Sequence, residues 1–216
     1  MTQYNTILAE AEDVFAEKRS RFICAIAPVE TPEQALAFIA RRKEQHYDAR
    51  HTVYAYILRQ GNAQRYSDDG EPQGTGGQPV LEVIRRLGLT DVCVAVTRYF
   101  GGILLGAGGL TRAYSHGAAL AAAAAQQVTM CQCADCRLEM DYSQYGIVGR
   151  LLPEHGAQLR DSDFGERVSL TVRLKLEAVA SFEKALTEST SATVSLEILN
   201  EVFSAMALGG NAPASD

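Results

Sequence analysis

Apolar residues alternate with polar ones, or recur every three to four positions, along the first 135 residues, which predicts a domain of mixed strands and helices. Its predicted elements, in chain order, are strands over residues 4–15 and 20–29, a helix over 31–45, a strand over 53–58, a helix over 80–87, a strand over 92–97, a helix over 110–126 and a strand over 128–133. The helix at 31–45 has a clear start signal, because Thr31 is a favoured N-cap and Pro32 suits the first turn. The acidic, glycine-rich stretch from Tyr66 to Pro79 is typical of a loop.

The pattern after residue 135 predicts a second, self-contained unit. Its predicted elements are strands over residues 138–142, 157–164, 168–176 and 194–203 and helices over 143–154 and 179–186. The order βαββαβ is that of a split-βαβ, ferredoxin-like domain. We therefore expect a first domain at 1–135, a ferredoxin-like domain at 136–204 and a flexible tail at 205–216.

The stretch from Arg98 to Ser115 contains five glycines between a buried strand and an alanine-rich helix: Gly101, Gly102, Gly106, Gly108 and Gly109. Two interpretations remain open. The glycines either let the chain turn and pack tightly, or they expose N–H groups to an anion at the helix N-terminus, with Arg98 and Arg112 alongside. The spacing excludes a P-loop and the dinucleotide-binding fingerprint, because the terminal Lys-Ser/Thr pair and the third glycine are missing.

The net charge of −6 is unevenly distributed. The residues up to Met130 carry thirteen Lys/Arg and thirteen Asp/Glu, whereas those from Cys131 onward carry seven and thirteen. A polyanion partner should therefore contact the first domain, although strong non-specific nucleic-acid binding is not expected. Lys18, Arg19 and Arg21 form a basic cluster at the predicted hairpin turn, which is either a solvated end or a polyanion contact.

Other features indicate a cytoplasmic protein without a metal or cofactor. No secretion signal or membrane span is visible, and five cysteines without framework spacing suit a reducing compartment. The spacing of Cys131, Cys133 and Cys136 does not complete a zinc site. The acidic residues of the loop lack calcium-site spacing, so we expect Asp68 or Glu71 to pair with Arg50 or Arg98.

Four motifs in chain order resemble those of the IMPACT family, and within it the bacterial YigZ-type members. They are KRSRF from Lys18, DARH with the following YAY from Asp48, SDDGEPQGTGGQP from Ser67, and RYFGGILLGAGGLTRAYS from Arg98. These motifs cover about the first 130 residues, and the later part matches only by its order of elements. The resemblance implies an α+β protein with a ribosomal protein S5 domain 2-like N-terminal domain followed by the ferredoxin-like C-terminal domain.

The resemblance also implies a function. Similar domains occur in the ribosome-engaging end of elongation factor G, and eukaryotic family members look like regulators of translation initiation. We therefore expect a translation-linked regulatory protein that binds RNA or the ribosome without catalysis, with a translation-regulatory protein as a further partner. The sequence does not specify the oligomeric state.

The alternative is an enzyme or small-molecule sensor with an anion or phosphate pocket at the Arg98–Ser115 loop. His51, Asp68 or Glu71 would then serve as acid or base, although a hydrogen-bonded structural role for His51 is also open. A deep cleft where a carboxylate, His51 and Arg98 converge would favour this alternative. A shallow basic face would favour RNA binding.

The family motifs and the basic cluster select the candidate ligand- or nucleic-acid-binding residues, and none of them is assigned as catalytic or as a metal ligand. They are Lys18, Arg19, Arg21, Arg50, His51, Asp68, Asp69, Glu71, Thr75, Arg98, Tyr99, Gly101, Gly102, Gly108, Gly109, Arg112, Tyr114 and Ser115. They form one surface only if the two glycine-rich loops lie side by side.

Overall fold

The computed structural model describes residues 2–205, which form two compact units. The first unit is Tyr4–Val128, and the second comprises the residues before Tyr4 together with those from Thr129 onward. The strands are β1 Gln3–Ile7, β2 Ala11–Glu17, β3 Ser20–Pro28, β4 His51–Ile57, β5 Gln64–Ser67, β6 Val92–Tyr99, β7 Gln127–Met140, β8 Gln158–Phe164, β9 Val168–Lys175 and β10 Leu196–Ala205. The helices are α1 Pro32–Gln45, α2 Gly77–Arg86, α3 Gly106–Ala124, α4 Tyr142–Glu154 and α5 Leu176–Ser189.

The first unit is built on an antiparallel sheet with the strand order β2-β3-β6-β4-β5. Its central strand β6 is an almost continuous run of apolar residues because both faces of the sheet are covered. One face packs against α2 and α3 through side chains such as Phe22, Val53 and Val96. The opposite face packs against α1 through side chains such as Ala25 and Cys93.

In the first unit, one predicted strand is broken and one short strand was not predicted. The predicted strand at 4–15 is broken, because the chain bends after Ile7 and the Leu8 N–H donates to the Gln126 carbonyl at 3.0 Å. The short strand β5 lies where a loop was expected to begin, and it adds to the sheet edge by pairing with β4. The N-cap prediction for Thr31 is confirmed, since its hydroxyl accepts a hydrogen bond from the Gln34 N–H.

The second unit contains the elements β7-α4-β8-β9-α5-β10 and has the strand order β10-β7-β9-β8. This is the predicted ferredoxin-like arrangement. α4 and α5 bury Val148 and Phe182 against inward-facing residues of β7 and β9, including Leu138 and Leu170. The α+β fold class is therefore as the sequence indicates.

The predicted domain boundary after residue 135 falls inside β7. We expected two separate strands there, but β7 is continuous because β9 pairs with it from Cys133 to Met140 and β10 from Met130 to Leu138. Asp135 is further held by a bidentate contact from Arg173, with N–O distances of 2.7 and 2.8 Å. Of the predicted tail, Ala205 ends β10 and the rest lies outside the described residues.

The structure also bears on the expectations about membrane spans and about the three cysteines of β7. Among residues 2–205, no helix is both long enough and apolar enough to cross a membrane. Cys131 and Cys133 share one face of β7 and pack with Val202, whereas Cys136 belongs to the core beneath α4 and α5. The three thiols therefore do not converge on one point.

Candidate functional site

A buried network around Arg98 joins three of the family motifs. The Arg98 guanidinium donates to Glu71 Oε1 at 2.8 Å, and its second terminal nitrogen donates to Ser20 Oγ at 3.3 Å. The Tyr114 hydroxyl donates to the same Glu71 oxygen at 2.8 Å. Burial, followed by the charge of Glu71, raises the pKa of Tyr114, so the phenol remains a donor. The expected pairing of Glu71 with Arg98 is therefore present.

The tip of the β2–β3 hairpin lies directly against Gly101, near the start of the Arg98–Ser115 stretch, which we call the glycine loop. Lys18 and Arg19 are the two central residues of the β2–β3 turn, and both have positive φ, of 45° and 66°, as a type I′ turn requires. A Cβ on Gly101 would lie 2.0 Å from the carbonyl carbon of Arg19, so this position accepts only glycine. The Gly101 N–H donates to Ser20 Oγ at 3.3 Å, which fixes the same contact.

The two glycine-rich stretches both line a half-open pocket of about 370 Å³, which we call the Arg98 pocket. It lies at the N-terminus of α3. Its lining residues are Arg50, His51, Glu71, Pro72, Arg98, Phe100, Leu104, Leu105, Gly106, Ala107 and Leu110. A carboxylate, a histidine and two arginines therefore converge on one half-open cavity, which has the convergence but not the depth named for the pocket alternative.

His51 is positioned by the acidic loop. Its Nδ1 donates to the Asp69 carbonyl oxygen at 2.8 Å, because a carbonyl can only accept. A Cβ on Gly70 would lie 3.3 Å from the same Nδ1, so the ring packs closely on this glycine. The hydrogen bond fixes the ring orientation and leaves Nε2 as the nitrogen able to act on a ligand.

Asp68 stabilises the conformation of the acidic, glycine-rich loop, and its carboxylate is not offered to a ligand. Its two carboxylate oxygens accept the N–H groups of Gly74, Gly76 and Gly77 at 2.8–2.9 Å. Gly77 is the first residue of α2, and Gly76 offers no side-chain cap, so Asp68 supplies the cap from a distance. Partial burial acts to raise the pKa of Asp68, but the three N–H donors outweigh it and the pKa lies below its usual value.

Asp68→Asn is expected to destabilise the first unit by about 1–2 kcal/mol near neutral pH, the usual magnitude for a lost N-terminal cap. Because the folded-state pKa is depressed, the contribution of the charge is present above the unfolded value and disappears as pH falls through the folded value. Urea unfolding at a series of pH values should show the two proteins converging below about pH 4. A difference that stays constant down to low pH would contradict the cap assignment.

Three other motif residues also have mainly structural partners. Thr75 is buried, and its hydroxyl donates to the Pro72 carbonyl at 2.7 Å. The Asp69 carboxylate accepts the Thr52 N–H at 2.7 Å and pairs with Lys43. The Tyr99 hydroxyl donates to Asp48 at 2.9 Å and lies 3.0 Å from His46 Nδ1.

The glycines after Gly102 do not form a loop. α3 begins at Gly106, earlier than the predicted residue 110, so Gly108 and Gly109 belong to its first turns. A Cβ on Gly108 would meet only the Arg112 side chain at 3.6 Å, and one on Gly109 would meet Leu105 at 3.1 Å. Gly102 has a φ of 82° and open space around it. The severe crowding at this turn is therefore at Gly101.

A second groove lies between the hairpin and α3, with a volume of about 430 Å³. Lys18 and Arg112 both line it, together with Phe15, Glu17 and His116. Ser115, farther along α3, is half-buried and does not line either cavity. The groove and the Arg98 pocket share Leu105, so the cationic residues of the hairpin and of the pocket belong to one region of the first unit.

The candidate cations differ in whether they are neutralised. Those on α1 are paired, since Arg41 contacts Glu10, Arg42 contacts Glu12 and Lys43 contacts Asp69. The exposed cations of the motif region are Lys18, Arg19, Arg21, Arg50 and Arg112. None of them takes part in an ion pair within residues 2–205. An anionic partner would therefore not compete with an internal carboxylate at these five positions.

Sequence reasoning missed two residues of this site. Ser20 is fully buried between Arg98 and Gly101, and its position inside the KRSRF motif was the available signal. Phe100 is 46% exposed beside the Arg98 pocket, with the Arg98 guanidinium carbon 5.4 Å from its ring centroid. The available signal for Phe100 was its place directly before Gly101 and Gly102, because an aromatic residue next to two glycines is typical of an exposed loop side chain.

Comparison with known proteins places the motifs in a family context. Residues 18–122 match the family model described as the Impact N-terminal domain, and residues 138–193 match a domain of unknown function, DUF1949. A crystal structure titled as that of an hypothetical protein superposes with a TM-score of 0.60 at 31% identity, covering 93% of this chain and 98% of that chain.

Two bacterial relatives are similar over nearly their whole length. The IMPACT family member YvyE of Bacillus subtilis is 35% identical over 87% of this chain and 87% of its own. The IMPACT family member YigZ of Escherichia coli is 34% identical over 85% of this chain and 92% of its own. Protein IMPACT of Mus musculus is 35% identical over 42% of this chain and 30% of its own, so that similarity is confined to a part of each protein.

Proposed function

Because this chain belongs to the IMPACT family, we propose that it is a translation-linked regulatory protein that binds RNA or the ribosome without catalysing a reaction. Binding is assigned to the first unit. The observation that carries this proposal is the set of five exposed cations around the hairpin tip and the start of α3, none of which forms an ion pair within residues 2–205. Unpaired Lys and Arg side chains are the groups that neutralise phosphates and release counterions.

The distribution of charge supports the same assignment. The residues from Cys131 onward carry seven Lys/Arg and thirteen Asp/Glu, so their excess negative charge disfavours a polyanion. In that part Arg173 is held by Asp135. The hairpin tip, by contrast, presents its cations on a backbone that Gly101 and Ser20 hold in place. A preorganised cationic tip loses little conformational entropy when it binds.

A second candidate function rests on a different observation. Glu71, His51 and Arg98 converge on the Arg98 pocket, which is the geometry of an enzyme or small-molecule sensor that recognises an anion or phosphate group. Glu71, however, already accepts hydrogen bonds from both Arg98 and Tyr114. This engagement makes Glu71 a structural counter-ion and disfavours it as a free general base.

The double variant Lys18→Asn/Arg19→Gly is expected to weaken RNA binding about tenfold at low salt and to reduce the salt dependence by about two slope units. The substitution removes two charges, yet Asn-Gly is the favoured pair for a type I′ turn, so the hairpin should be as stable or more so. Fluorescence anisotropy titrations of a labelled single-stranded RNA at several salt concentrations measure both effects.

A matched control is available in the same unit. Arg65 and Arg86 are exposed and have no ion pair within the described residues, but they lie on β5 and at the end of α2. Arg65→Ala/Arg86→Ala removes the same charge and should leave the affinity within about twofold. Equal losses in both double variants would show that net charge alone governs binding and would defeat the assignment to the hairpin tip.

A further inference from the structure

The Arg98 pocket has a polar wall and an apolar wall. Arg50, His51 and the first turn of α3 form the polar side, and Phe100 and Leu104 contribute to the apolar side. Its volume of about 370 Å³ lies near the lower end of the range for small-molecule sites, about 300–1,000 Å³. A ligand that fits both walls is a single small molecule that carries a charged group at one end and a flat or apolar group at the other.

The polar wall favours an anion. α3 is 19 residues long, and its N-cap Leu105 provides no side-chain hydrogen bond, so the first N–H groups keep their positive potential. Arg50 is exposed beside them without an ion pair in the described chain. The side chain of Arg98 is more than nine-tenths buried in the wall, and its Nε has no hydrogen-bond partner among the residues that the structure describes.

The carboxylate in the same cavity does not cancel this potential. Glu71 is only 9% exposed, and one of its oxygens accepts both the Arg98 and the Tyr114 hydrogen bonds. Its charge is therefore balanced by Arg98. Arg50 and the N-terminus of α3 are left as the groups facing an incoming ligand.

The apolar wall offers a stacking surface. Phe100 is 46% exposed and Leu104 is 83% exposed, although both follow a fully covered strand. The Arg98 guanidinium lies against the Phe100 ring, with 5.4 Å from its central carbon to the ring centroid, which restrains the ring on that side. An exposed aromatic ring beside cationic groups is how proteins receive an unstacked base of a single-stranded nucleic acid.

We infer that the Arg98 pocket is a nucleotide-binding subsite. The phosphate lies against Arg50 and the first turn of α3, and the base stacks on Phe100 next to Leu104. This inference deepens the proposed RNA-binding function and rests on it where the nucleotide belongs to an RNA chain. A free mononucleotide carries the same chemistry, so the experiment separates the two sources.

The chain contains no tryptophan, so Phe100→Trp places a single indole, which can be excited selectively over the tyrosines, in the pocket. Adenosine 5′-monophosphate should quench it saturably, because a stacked base changes the environment of the indole. Adenosine, which lacks the phosphate, and ribose 5-phosphate, which lacks the base, should each bind about tenfold more weakly. Tyr66→Trp is the matched control, because Tyr66 is 47% exposed on β5, and its fluorescence should not respond.

Two further substitutions in the Phe100→Trp background test the phosphate position. Ala107→Glu adds a carboxylate to the first turn of α3, where it stabilises a helix but repels a phosphate. Arg50→Ala removes the exposed cation, and Arg65→Ala is its control on β5. Ala107→Glu and Arg50→Ala should each weaken nucleotide binding about tenfold with no loss of thermal stability. Arg65→Ala should leave nucleotide binding unchanged.

A labelled eight-nucleotide RNA then separates the possible outcomes. If RNA quenches the indole of the Phe100→Trp variant and competes with the mononucleotide, the subsite receives a nucleotide of an RNA chain. If only the mononucleotide binds, the subsite stands and the proposed RNA-binding function fails. If RNA binds and is weakened by Lys18→Asn/Arg19→Gly but neither ligand changes the indole fluorescence, the subsite is overturned while the proposed function stands. Absence of any binding by the native chain overturns both.

Discussion

Gly101→Ala is expected to destabilise the first unit by about 3 kcal/mol, because the new methyl group has no space. A Cβ at this position would lie 2.0 Å from the Arg19 carbonyl carbon and 2.5 Å from the Ser20 nitrogen. These atoms are backbone, so they cannot move aside as a flexible side chain would. The hairpin tip would have to separate from the start of the glycine loop, breaking the Gly101–Ser20 hydrogen bond.

Native-state hydrogen exchange of the β6 amides measures this effect for the first unit alone. Gly108→Ala is the control within the same motif, because it lies in α3 and a Cβ there would meet only Arg112 at 3.6 Å. That substitution should be neutral or stabilising by about 0.5–1 kcal/mol, since alanine suits a helix better than glycine. Similar losses in the two variants would contradict the contact between Gly101 and the hairpin tip.

Glu71→Ala is expected to cost about 3–5 kcal/mol, because it leaves the buried Arg98 guanidinium without its counter-charge. The side chains of Arg98 and Glu71 are 7% and 5% exposed, so water cannot replace the lost carboxylate. The Tyr114 hydroxyl loses its acceptor at the same time. Urea unfolding followed by circular dichroism, together with hydrogen exchange of β6, measures the loss.

The exposed pair Glu82–Arg85 gives a matched control. Its side chains are 56% and 46% exposed, so Glu82→Ala should change stability by about 0.5 kcal/mol or less. Replacing both buried partners, in Arg98→Met/Glu71→Met, should recover part of the loss, because no uncompensated charge remains. The contrary result is that Arg98→Met/Glu71→Met is less stable than Glu71→Ala, by as much free energy as an independent second substitution would cost. Packing, and not charge, would then dominate at this pair.

Local sequence signals were sufficient for most of the fold. Thr31 and Pro32 start α1 as expected, because capping depends on residues within one turn. The apolar run of β6 predicted a buried strand, and the element order after β7 predicted the ferredoxin-like arrangement. These features follow from periodicity and propensity, which act over a few residues.

Part of the candidate site was also predictable. The motifs identified Glu71, Arg98 and the glycine loop, and the absence of calcium-site spacing in the acidic loop favoured an ion pair between a carboxylate there and an arginine. The sequence could not distinguish a structural aspartate from a binding one. Asp68 and Asp69 are adjacent, yet the first caps α2 and the second contacts Lys43 and Thr52.

The remaining features depend on residues far apart in sequence, and only the tertiary structure decided them. Ser20 and Gly101 are 81 positions apart, and no local signal shows that the backbone of the hairpin tip lies against that glycine. The α1 cations Arg41 and Arg42 likewise pair with the distant Glu10 and Glu12, whereas the hairpin cations have no ion pair within residues 2–205. Sequence periodicity determined which elements form, whereas close approach between distant segments determined which glycine is obligatory and which charges are free.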